Sequence, residues 1–280
     1  PLYKKGANAS HYVLNNARGR NIKYKTEVKL NPADKWIISR LQSAIRDVTL
    51  ALNKLELGIA LETAHNFVWD DFCDWYIELT KSALWSDDEA KKDGALAVLV
   101  YVLDNALKLL HPFIPFVTEK IYSEMPASRG RIMLAAYPRY NSRLTYRKEA
   151  AAFTGVMDII KAVRALKTET GCAPSKKVTL YIVTDSKRII TANEDSIKRL
   201  AGASEIKFVP SPEAAGENAA AKVVSCATVL VPMGDLVDAD KERVRLEGEL
   251  EKVLAELRRA DGKLHNAGFM AKAPKQLVDE

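Results

Sequence analysis

A chain of 280 residues with 48% apolar and 28% charged side chains can bury a core of its own, which excludes wholesale disorder and leaves room for one large or two modest domains. Its longest apolar stretch, residues 95–103, is about half of the roughly 20 residues a membrane crossing takes, so a buried helix is expected there and no membrane partner. Three dispersed cysteines, Cys73, Cys172 and Cys226, and four dispersed histidines argue against a disulfide framework and a zinc knuckle, and no metal site is expected.

The net charge of +6 is concentrated at one end: residues 1–30 hold seven Lys or Arg against Glu27 alone, and the rest balances at 35 of each sign. Arg18, Arg20, Lys23, Lys25 and Lys29 follow the aromatic Tyr12. Clustered cations beside an aromatic suit a nucleic-acid backbone, although a frayed basic terminus gives the same composition. The opening residues have no apolar run of the kind a secretory signal needs, so the expectation is a piece excised from a cytoplasmic protein.

Asn31 as cap and Pro32 at the first helical position open an amphipathic helix with Trp36, Leu41, Ile45, Val48 and Leu52 on one face. A second apolar series, Leu57, Leu61, Ala64 and Val68, leads into the aromatic stretch WDDFCDWYIELTKSALW, and Gly58 leaves open whether the chain breaks there. Within that stretch, Trp69, Trp75 and Tyr76 are expected in the core more than as stacking platforms. Ser86 and Glu89 form a candidate capping box for the helix that runs to Leu110. HPFIP, at 111–115, predicts a sharp corner with a packed or capping His111, followed by a short helix from Pro115 to about Glu124. Residues 125–147 lack periodicity and read as an irregular connection closing a first domain.

A helix over about 148–168 is followed by three strand candidates, VTLYIVT (178–184), EIKFV (205–209) and KVVSCATVLV (222–231), with a turn-rich loop before the last. Leu246, Leu250, Val253, Leu257, Ala260 and Leu264 alternate spacings of four and three, the seam of a coiled coil. Gly268 and Pro274 then predict a turn and the start of a return helix, PKQLVDE. The expected fold is mainly α: an antiparallel helical bundle (1–147), a small α+β domain (148–235) and an incomplete coiled-coil arm (236–280).

The stretches WDDFCDWYIELTK, LLHPFIPFVTEKIY and IMLAAYP, in this order, resemble the anticodon-binding helical domain of class I aminoacyl-tRNA synthetases, and the CDWYIE form resembles the valyl branch of that family. The segment from VPMGDLVDADKERV through KLHNAGF to KAP is similar to the C-terminal coiled-coil arm of the same branch. The resemblance covers essentially the whole chain. Ala7 and His11 stand where the family pattern around NAS has Trp and Arg, so an imidazole replaces a permanently charged guanidinium.

The resemblance implies a tRNA-binding, C-terminal portion of a synthetase, with the bundle holding the anticodon loop of a valine tRNA and the arm bracing the tRNA corner. No HIGH or KMSKS string and no Gly-rich phosphate loop occurs, so this stretch is expected to lack catalytic residues and cofactors. ATP and Mg²⁺, with the catalytic and editing domains, would belong to the parent enzyme in cis. Candidate tRNA contacts are Tyr12, Asn15, Asn16, Arg18, Arg20, Lys23 and Lys25, and on the arm Arg258, Arg259, Lys263, Lys272 and Lys275. An arm lacking most of its return helix is expected to self-associate or fray. An isoleucyl-type fragment and an RNA-independent helical adaptor are the alternatives.

Overall fold

The computed structural model describes residues 2–20, 22, 29–126, 130–216, 218–237 and 239–265. The chain divides into two units, one of residues 1–158 with 188–196, the other of 159–187 with 197–280.

In the first unit, α1 (Leu2–Ala17) buries Ala9, Ser10, Val13 and Ala17 and stops at Gly19, whose φ of +75° lets the chain turn off the helix without a Cβ clash. Helix α2 (Pro32–Asn53) starts on a reciprocal cap: Asp34 N–H donates to Asn31 Oδ1 at 2.9 Å, and Asn31 N–H donates to Asp34 Oδ2 at 2.9 Å. Two otherwise orphaned donors are thereby satisfied. The core face of α2 carries Trp36, Ile37, Leu41, Ile45 and Val48, and Trp36 meets Phe153 at 5.8 Å between ring centroids.

The chain breaks at Leu55, with φ +61°, and Gly58 lies inside the next helix, α3 (Leu57–Asn66). The path stays helical through a π-helical stretch, Phe67–Tyr76, and on into α4 (Ile77–Leu84), with αR backbone at both junctions. Phe67, Val68, Phe72 and Tyr76 are buried along that stretch. The i→i+5 winding keeps residues four to five apart on one side, which suits this run of large side chains. Fully buried Tyr76 donates its hydroxyl proton to Asp34 Oδ1 at 2.6 Å, tying the π stretch to the start of α2.

Helix α5 (Glu89–Leu110) is capped differently from the expected Ser86–Glu89 box. Asp88 Oδ1 accepts the Ala90 and Lys91 N–H groups, and Ser86 Oγ accepts Asp88 N–H in the preceding turn. A carboxylate at this position adds a favourable charge at the positive end of the helix, which a serine could not. The HPFIP corner leads into α6 (Pro115–Ser123), as the sequence predicts. Thr118 Oγ1 lies 3.0 Å from the Ile114 carbonyl and gives it the hydroxyl's one proton, so His111 Nδ1–H donates to Thr118 Oγ1 at 2.8 Å. His111 is a structural clip. Short 3₁₀ turns at Ile132–Leu134 and Ser142–Leu144 punctuate the connection to α7 (Arg147–Glu169).

The second unit is built on a sheet of order β2-β1-β4-β3. β1 (Val178–Val183) runs parallel to β2 (Ala203–Phe208) and antiparallel to β4 (Ala227–Pro232), and β4 pairs with β3 (Ala219–Val224). Between β1 and β2 in sequence lie α8 (Lys187–Ala192) and α9 (Glu194–Ala201), of which residues 188–196 belong to the first unit. KVVSCATVLV, expected as one strand, is therefore most of a hairpin, and the described residues form four strands where three were predicted. Ser225 and Cys226 make its two-residue turn with no positive φ, so the Asn-Gly type of signal that marks hairpins in sequence is missing.

Lys167 is buried, and its ammonium donates to the carbonyls of Lys176 (2.6 Å) and Gly202 (2.9 Å), while burial lowers its pKa. Gly202, at φ +66°, lies so close that a Cβ there would come 2.5 Å from Lys167 Nζ. After α10 (Met233–Leu236), whose Asp235 accepts Thr179 N–H at 2.7 Å, comes α11 (Ala239–Leu264). No helix among the described residues is long and apolar enough to cross a membrane.

Candidate nucleic-acid interface

Opposite its buried face, α1 exposes Asn8, His11 and Asn15, and Arg18 in the turn just after it continues the row, spaced three, four and three apart. Asn15 and Arg18 thus reach solvent as the sequence predicts. Asn8 and His11 share their stripe and were not among the candidates, although the 3-4-3 spacing of polar residues was there to be read. Tyr12 is half-buried at the edge of this face, and the Asn16 amide donates to the Tyr12 carbonyl at 2.8 Å. Asn16 therefore presents only part of its hydrogen-bonding capacity outward.

The turn at Gly19 swings Arg20 onto the first turn of α5, where its Nη1 sits 2.8 Å from Glu89 Oε2 and 2.9 Å from Asp93 Oδ1. The hydrogen bonds to Glu89 and then Asp93 raise the Arg20 pKa, and Glu89 is lowered by its bonds to Lys92 and Arg20. Its charge is already largely matched by protein carboxylates. His11, Asn15, Arg18 and Arg20 line an open cleft of about 450 Å³ together with Glu124, which Lys120 neutralises at 2.8 Å. Lys29 is exposed, and Lys23 and Lys25 lie outside the described residues.

Of the aromatic trio, Tyr76 packs in the core as expected, whereas Trp69 and Trp75 are half-buried, and Trp69 stacks on His65 with centroids 5.4 Å apart. On α11, Arg258 and Arg259 are exposed. The backbone of Lys263 is helical, but its side chain, like Lys272, Lys275, Gly268, Pro274 and the PKQLVDE segment, lies outside what is described. The predicted seam is open to solvent at Leu250 (59%), Val253 (60%) and Leu257 (64%). Among the described residues no group of three or more His, Cys, Asp or Glu side chains is placed to hold a metal ion. Cys73, Cys172 and Cys226 form no disulfide with one another.

This architecture defines a mainly α protein with an appended four-stranded unit, its polar and cationic side chains exposed along helix faces. Residues 34–182, more than half of the chain, match the family model described as the anticodon-binding domain of tRNA ligase, and the chain belongs to that family. Residues 238–280 match a second model, the valyl tRNA synthetase tRNA binding arm. Similar full-length relatives are the valine-tRNA ligases of Clostridium acetobutylicum (39% identical over 97% of this chain and 31% of that protein) and Bacillus cereus (41% over 97% and 31%). The Bacillus subtilis enzyme is 37% identical over 98% of this chain and 31% of its own length. The chain spans about a third of the length of the curated relatives it matches. α1 precedes the segment matched by the anticodon-binding model, and the aligned relatives extend over nearly the whole chain.

Proposed function

We propose that this chain is the tRNA-binding portion of a valine-tRNA ligase, in which the helical domain (1–147) holds the anticodon loop and the arm (236–280) braces the corner of a valine tRNA. The observation that carries the reading is the solvent-facing stripe of Asn8, His11, Asn15 and Arg18 on a chain whose two family matches are both tRNA-binding modules. Unstacked anticodon bases expose their Watson–Crick edges, which amide side chains such as Asn15 can pair with, while Arg18 meets phosphate and the half-buried Tyr12 offers a ring edge. On the arm, Arg258, Arg259 and Lys263 supply phosphate contacts that add affinity without sequence choice.

Valine activation, editing, ATP and Mg²⁺ are assigned to the remaining two thirds of the protein, acting in cis, and the chain itself to the cytoplasm, where tRNA charging serves translation. The test is binding to valine tRNA and to an anticodon-swapped version across a salt series. The expected result is a preference for the native anticodon together with an affinity that falls as a power of salt concentration. Equal, salt-labile binding to both would remove the anticodon assignment and leave a phosphate support, and indifference to RNA would favour a helical adaptor.

The open seam of α11 supports a second part of the reading, self-association. Sedimentation mass is expected to rise with concentration and to return to the monomer in Leu257→Lys, because a buried ammonium in the seam has no partner. A wild-type chain that stays monomeric at all concentrations overturns it.

A further inference from the structure

On the first unit, α2 and the extended segment 136–140 enclose a second open cleft, of about 430 Å³, which shares no lining residue with the one beside α1. Four side chains give it its chemistry: Arg46 and Arg139, both exposed, and Tyr137 and Tyr140, 37% and 39% exposed. No carboxylate lines it. The nearest acid in sequence, Asp47, accepts from Arg46 Nε at 2.8 Å and Nη2 at 3.2 Å, which fixes the plane of that guanidinium beside the cleft.

The segment is held rather than loose. Pro138 is buried and favours an extended backbone at Tyr137, and Asn141 N–H donates to the Oε1 of fully buried Gln42 at 2.8 Å. The two rings are thus presented on a supported backbone, and neither is consumed by the core.

Two half-open aromatic rings and the exposed Arg139 guanidinium on one cleft select a ligand that is flat and anionic at once. A nucleotide with its base unstacked from neighbours has that chemistry, and the volume is of the size that accommodates one. We propose that this cleft takes an unpaired nucleotide of the bound RNA, with its base against Tyr140 and its phosphate on Arg139, while Arg46, already paired with Asp47, forms part of the wall. The proposal rests on the tRNA-binding reading above and adds a contact on α2 and segment 136–140 to those on α1 and α11.

Fluorescence anisotropy with two probes, valine tRNA and an unstructured oligoribonucleotide of about six nucleotides, tests it on the wild-type chain and on Tyr140→Leu, Tyr140→Phe and Arg139→Ala. Tyr140→Leu is expected to weaken both probes about tenfold and Tyr140→Phe to leave them unchanged, since stacking needs a ring and not the hydroxyl. Arg139→Ala should reduce the slope of log K against log salt by about one. Wild-type thermal melting in each variant shows that the fold is kept, and Arg139, being exposed, supplies a readout should Tyr140→Leu unfold. If the wild type binds both RNAs and the leucine and alanine variants bind as it does, the cleft assignment is overturned while the tRNA-binding reading stands. If the wild type binds neither RNA, both fall.

Discussion

Replacing Asp34 by Asn is expected to flatten the pH dependence of the helical unit's stability between about pH 4 and pH 6. Asp34 is buried, and desolvation raises its pKa from 3.8 to about 6, outweighing the hydrogen bonds from Tyr76 and Asn31 that favour the charged form. Well below pH 4 the carboxyl is neutral in both folded and unfolded chains and makes no difference. As pH rises through the window the unfolded chain gives up the proton first, so the native state binds more protons and stability falls. The loss is complete above about pH 6 and amounts to on the order of 3 kcal/mol.

The amide introduced by Asp34→Asn would keep an oxygen for the Tyr76 hydroxyl but would turn an N–H₂ group toward the Asn31 N–H, a loss that does not vary with pH. The quantity to follow by chemical denaturation is therefore the difference between wild type and Asp34→Asn at pH 4 and pH 7, and an unchanged difference would show that the carboxyl titrates normally. Tyr76→Phe takes away a donor to the charged form and should move the wild-type window upward.

Arg18→Glu should produce the largest loss of RNA affinity among single changes on α1, about tenfold at 0.1 M salt. It exchanges an exposed cation for an anion on the stripe that also carries His11 and Asn15. The milder Arg18→Ala is expected to lower the slope of log K against log salt by about one, as the loss of a single phosphate contact should. Arg20→Ala is the contrasting case. The guanidinium is already engaged by Glu89 and Asp93, so the salt slope should scarcely change. Equal slopes for wild type and Arg18→Ala would take α1 out of the interface.

The helices were legible wherever apolar spacing and end signals agreed: Asn31-Pro32 opened α2 as predicted, and the prolines of HPFIP closed α5 and began α6. The π winding of Phe67–Tyr76 was hidden, because a run rich in large side chains matches helical periods of several widths, and only packing against the core chooses among them. The hairpin in KVVSCATVLV was hidden for a different reason, a turn made by two residues with no special backbone requirement.

The same division runs through the site. Asn15 and Arg18 were chosen for their side-chain chemistry, and the helix that carries the stripe, α1, was not among the expected elements. The capture of Arg20 depended on carboxylates about seventy residues away in sequence, and the cleft of Arg46 and Tyr140 on a segment that had no periodicity to read.

The strand order also sets a timetable for synthesis. β1 finds a partner on one side in β2, but its other edge waits for β4, so Tyr181 leaves the ribosome about fifty residues ahead of Leu230, with which it pairs. During that interval Leu180 and Ile182, both fully buried in the finished sheet, stand on an unfinished edge. The helical unit has its own wait, since α1 packs against α5 about seventy residues later, but α2 with α3 and α4 with α5 pack as sequence neighbours, and a waiting helix has no unpaired strand edge. A growing chain is therefore most exposed to wrong strand pairing after β1 has emerged and before Pro232 has followed.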